Sequence, residues 1–230
     1  MGLTVSVGLP VDLEDEELAE ELQGEFDELN EALRRNGLAE HREPAAVGWE
    51  PLSLDMIGYS GLHYLRRIAA HLDANGELPP PGGDDSAEDP VIQAYYERLD
   101  AGTGGGLLGR LRRRGPAPAA PAGRFDHLIN HSDSEGYYVP QRFDRVLRDE
   151  RVAGELVGSS HALRAELETL RDALAIPELD PEGDELALAV ESQGEGESVW
   201  QRYGIESFTC ARLLAAAETS VERGAAIVFA

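Results

Sequence analysis

The chain has 230 residues, 42% of them apolar, which is enough to bury a sizeable core and excludes a disordered protein. Acidic residues outnumber basic ones 44 to 20, a formal net charge of −24; neutralising phosphates needs a basic face, so nucleic acid is not expected as a direct ligand. No apolar run is long enough for a membrane span, and a lone Cys210 excludes an intramolecular disulfide and a cysteine-based zinc site.

Every basic residue is Arg, which with the abundant Ala and Gly points to a GC-rich bacterial genome; a salt-loving source is a second explanation of the acidity. The first residues lack the basic and apolar regions of a signal peptide, so a cytoplasmic location is expected. One domain is expected over 1–230.

Leu3, Val5 and Val7 alternate with small polar residues and predict a short strand ended by Gly8-Leu-Pro10. With Asp12 as cap, Leu18, Leu22, Phe26, Leu29 and Leu33 form one helical stripe, closed by Asn36-Gly37. A second helix is predicted from Ser60 as cap to about Ala74, with His63, Arg67 and His71 along one edge. Residues 79–86 read as a loop, and Pro90 opens a short helix through Leu99. Residues 101–123 are Gly-, Arg- and Ala/Pro-rich and read as a flexible insertion, whose Arg110, Arg112, Arg113 and Arg114 could meet an acidic surface.

Phe125 to Asn130 alternates and predicts a strand; after a turn at 132–136, Tyr137 to Val139 would pair back as a hairpin. Gly158-Ser-Ser160 starts a helix carrying Leu163, Leu167, Leu170 and Leu174. Leu186 to Val190 is too short for periodicity to separate strand from helix. The last helix covers about Ile205 to Arg223, with Cys210 an inert core thiol, and Gly224 stops it before a buried strand at 225–229. The sum is an α+β fold, helix-dominated, with a small antiparallel or mixed sheet covered by helices on one side.

The densest polar cluster is Arg124 to Pro140. His127, His131, Asp133 and Glu135 are imidazole and carboxylate donors within nine residues, and in an extended segment alternate residues share a side, so they are candidate ligands for a divalent metal such as zinc, manganese or iron. His63 is a candidate to complete that site, and Tyr137 a candidate to supply a phenol. Ser, Asp, Glu and Gly are equally what a structural turn requires, and both readings stay open here.

The segment Asp126-His-Leu-Ile-Asn-His-Ser-Asp-Ser-Glu-Gly-Tyr-Tyr-Val-Pro140 resembles a family of bacterial proteins sharing a His-Ser-Asp-x-Glu-Gly-Tyr-Tyr-x-Pro segment. Gly61-Leu-His-Tyr-Leu-Arg66 and the terminal Arg223-Gly-Ala-Ala-Ile-Val-Phe229 extend the resemblance over most of the chain. It implies no activity, because none is attached to that family, and the insertion at 101–123 departs from its shorter connection. Two functions follow from the residues. One is an acidic binding protein, of immunity type, that neutralises or regulates a basic protein partner; the other is a metal-assisted hydrolase built on His127, His131, Asp133 and Glu135.

Overall fold

The computed structural model describes residues 3–8, 16–44, 49–82, 86–103, 123–132 and 134–229. Strand β1 (Thr4–Val7) buries Val5 and Val7 and leaves Thr4 and Ser6 partly exposed, as the alternation predicts. Helix α1 (Glu16–Arg35) buries Phe26, Leu29 and Leu33, each worth about 2 kcal/mol, and ends on Arg34 and Arg35, where the helix dipole favours cations. The expected cap at Asp12 lies outside the described residues.

Strand β2 (Leu52–Asp55) is followed by helix α2 (Gly58–Asn75), which starts before the expected cap. Ser60 sits inside the first turn and its Oγ donates to Ile57 O at 3.1 Å instead of capping. Gly76, in the left-handed conformation, closes the helix through its N–H to Leu72 O. Helix α3 (Pro90–Thr103) opens on proline as expected, and it takes in the first three residues of the expected insertion; 104–122 lie outside the described residues.

The strand expected over Phe125 to Asn130 is instead one helical turn, α4 (Asp126–Ile129), and no hairpin forms. Its main-chain groups are satisfied by side chains from distant helices, described below, so a sheet ladder is not needed to pair them. Strand β3 (Tyr137–Val139) pairs in parallel with β5 (Leu156–Ser159) and antiparallel with β6 (Ile227–Phe229); β4 (Leu147–Arg148) borders β5. The Ser159 side chain caps helix α5 (Ser160–Leu174) by accepting the Ala162 N–H at 3.2 Å. The ambiguous stretch at 186–190 falls in helix α6 (Asp184–Glu191). Helices α7 (Val199–Arg202) and α8 (Gly204–Arg223) follow, the latter closed by left-handed Gly224.

The result is an α+β fold with a six-stranded mixed sheet in the order β2-β1-β6-β3-β5-β4. Helices cover it on both sides, not on one. Because strand side chains alternate, Tyr138, Ile227 and Phe229 join the larger core with α2, α5 and α8, while Tyr137, Val139 and Val157 join a second core under α1. No described helix is long and apolar enough to cross a membrane.

Candidate functional site

The cluster at 124–140 is built as a clamp around α4. Glu166 of α5 accepts the N–H groups of His127 and Leu128 at 3.0 and 2.8 Å, taking the orphan donors at the start of the turn. At the other end the buried guanidinium of Arg66, on α2, donates to the carbonyls of Leu128, His131 and Ser132 at 2.9, 2.8 and 3.0 Å. Burial pushes the Glu166 carboxyl up to about 8, against the pull of the two N–H donors.

Both histidines are committed to main chain. His127 Nδ1 accepts the Ser159 N–H at 3.0 Å, which puts its proton on Nε2; that atom is buried and makes no hydrogen bond of good geometry, and the residue lines a cleft with Arg124, Asp144 and Thr169. His131 stacks on Tyr138 with centroids 3.9 Å apart and pairs through Nε2 with Tyr137 O at 3.0 Å, while burial pushes it down to about 4, so it is neutral. Glu135 is exposed at the turn, and Tyr137 points to the opposite side of the sheet, where its hydroxyl donates to Glu25. His63, on α2, is partly buried and has interactions of its own; Asp133 lies outside the described residues. Among the described residues no group of three His, Cys, Asp or Glu side chains is placed to hold a metal ion. His127, His131 and Glu135 are therefore not brought together as ligands.

The edge formed by Arg67 and His71 also closes on a structural partner. Asp89 receives Arg67 Nε at 2.8 Å, pairs with His71 Nε2 at 3.0 Å, and accepts the Val91 N–H at the start of α3. Burial works against its charge, but these partners hold its carboxyl down at about 2. The sequence gives no role to Asp89 or Glu166, and shows Arg66 only as the end of the Gly61–Arg66 segment of the resemblance. Glu166 left a signal, since it shares the helical face of Leu163, Leu167 and Leu170.

The acidity is distributed unevenly. Between Arg171 and Arg202 the chain has no basic residue and nine acidic ones. Asp172, Glu178, Asp180 and Glu182 lie on the end of α5 and the connection after it; Asp184, Glu185 and Glu191 lie on α6; Glu195 and Glu197 lie in the next loop; all nine are exposed. Among the described residues the one ion pair reaching them joins Arg171 to Asp172 at 3.6 Å. On α1, by contrast, Glu31 is paired with both Arg34 and Arg35.

This stretch is held at several points. Leu186 and Ala189 bury the inner side of α6 against α8, and the approach is so close that a Cβ on Gly204 would stand 1.9 Å from Ala189 O. Only glycine fits there. Gln193 donates to buried Glu206 at 2.9 Å and accepts the Ile205 N–H at 2.8 Å; Ser198 and Gln201 form a capping box; Arg212 Nε donates to Pro181 O at 2.9 Å. Carboxylates mounted on anchored backbone need little ordering when a partner arrives. Leu188, 61% exposed, stands among them on the outer side of α6.

Such a face presents fixed negative charge, the electrostatic complement of a cationic surface. The chain belongs to the family described as "Putative DNA-mimic protein", whose model matches residues 1–229. Membership is consistent with the expectation of an uncharacterised family. No match was found among curated proteins or among solved structures.

Proposed function

We propose that this protein is a DNA mimic: its surface carboxylates stand in for phosphates and occupy the DNA-binding face of a basic protein. The observation that carries the reading is the run of nine exposed carboxylates from Asp172 to Glu197 with no arginine among them. Family membership supports it. A DNA-binding face offers arginine forks and lysines arranged for phosphate oxygens, and carboxylates accept the same charge-assisted, bidentate hydrogen bonds. The net charge of −24 steers such a partner from a distance, and like charge repels DNA, so the two ligands exclude each other. DNA-binding proteins work in the cytoplasm of a bacterial cell, and this reading places the protein there.

The test is competition. Immobilised protein is exposed to extract of its source cells at low salt, and each captured protein is then bound to labelled duplex and titrated with the mimic. Captured DNA-binding proteins should release the duplex competitively, with an affinity that falls as salt rises. Partners that hold duplex and this protein simultaneously would defeat the proposal.

A further inference from the structure

The acidic face differs from a plain array of negative charge in one respect: it has an apolar centre. Leu188 is a large hydrophobic side chain left 61% exposed, although Leu186 and Ala189 of the same helix already supply its buried side. Asp184 and Glu191 are seven residues apart, two turns of α6, so they lie on one stripe with Leu188 between them. Seven residues at 1.5 Å rise separate the two acids by about 10 Å along the axis.

Duplex DNA offers a comparable pattern in its major groove. The groove is about 12 Å wide, bounded by phosphates, and within it the thymine methyl is the apolar feature that proteins touch with small apolar side chains. The minor groove, about 6 Å wide, carries no such methyl. We propose that α6 imitates a stretch of major groove, with Asp184 and Glu191 as the phosphate rims and the Leu188 methyls in place of a thymine methyl. The partner is then a protein that reads the major groove with a helix whose arginines or lysines flank an apolar contact. This rests on the DNA-mimic reading and narrows it to one face and one class of DNA-binding protein.

Charge complementarity selects that occupant, and the mount supports it. Gly204 seats α6 directly on α8, so the stripe is presented with fixed spacing. An apolar anchor ringed by charged groups that exclude water is also how binding energy concentrates at protein interfaces.

The experiment uses full-length chain and two kinds of probe from the source organism: helix-turn-helix repressors, which read the major groove, and minor-groove DNA-bending proteins. Displacement of labelled duplex is measured by anisotropy for wild type, for Leu188→Ser, for the triple variant Asp184→Asn, Glu185→Gln, Glu191→Gln, and for an equal charge change on α1, Asp27→Asn, Glu28→Gln, Glu31→Gln. Wild type should displace the repressors at lower concentration than the minor-groove proteins. Leu188→Ser should weaken that displacement about tenfold, a hot-spot-sized loss, and the α6 triple at least as much. The α1 triple should change it less than about threefold, the residue of a smaller net charge. Equal loss from the α6 and α1 triples would overturn the assignment of the face and leave DNA mimicry standing. A harmless Leu188→Ser, or preference for the minor-groove proteins, would overturn the major-groove assignment. Wild type that displaces neither probe removes this proposal together with the reading beneath it. Melting curves of all variants check the fold; every substituted position here is exposed or partly exposed.

Discussion

Replacing Glu166 by glutamine should change how stability depends on pH. In the folded protein burial pushes this carboxyl up to about 8, whereas the ordinary value is 4.5. Between those values the folded state holds a proton that the unfolded chain has released, so the contribution of Glu166 is fully present below about pH 4.5 and is lost as pH rises toward 8. The loss is at most about 1.4 kcal/mol per pH unit. Glutamine does not titrate. Its carbonyl keeps one of the two N–H groups of His127 and Leu128 and its amide faces the other, an unsatisfied buried donor costing roughly 1–3 kcal/mol. Wild type should therefore be more stable than Glu166→Gln at pH 5, with the gap narrowing toward pH 8. Parallel urea titrations at pH 5, 6, 7 and 8 isolate this group, because the other carboxylates cancel in the difference. A gap that stays constant, or widens with pH, refutes the reasoning.

Gly158→Ala should cost about 3 kcal/mol, since the added Cβ would lie 2.3 Å from a Tyr138 ring atom and that ring is pinned by its hydroxyl bond to His127 O; a loss below about 1 kcal/mol in urea unfolding would contradict this. Asp89→Asn should cost about 1 kcal/mol at pH 7, discounted for partial solvent screening. Because the folded carboxyl is held at about 2, that difference should vanish as pH falls from 4 toward 2, read from melting curves. Cys210 is buried and its thiol is pushed up to about 12, so a thiol reagent at pH 8 should label it only after denaturant is added.

Helices α1, α5 and α8 were legible because each repeats an apolar side over several turns, long enough for a 3.6-residue period to stand out. At Phe125, His127 and Ile129 the alternation is real but too short to separate a strand from a turn of helix. The decision lies with Glu166 and Arg66, whose side chains come from 38 or more residues away. The same distance hid the fate of the histidines, since nothing local shows that Ser159 N–H and Tyr137 O occupy their ring nitrogens. The acidic face was half visible. The gap in arginines from 172 to 201 can be read from the letters, but five residues at 186–190 could not show that Leu188 turns outward while Leu186 turns in.

Nine like charges on anchored backbone repel one another for as long as the protein stays folded, and unfolding lets them separate. Screening that repulsion favours the native state, while the same ions weaken the grip on a cationic partner. Under the proposed function, salt thus acts with opposite sign on the two equilibria: the protein melts lowest in the dilute solution where it would bind hardest. A partner's arginines supply locally the counter-charge that salt supplies everywhere, so association itself raises the melting temperature.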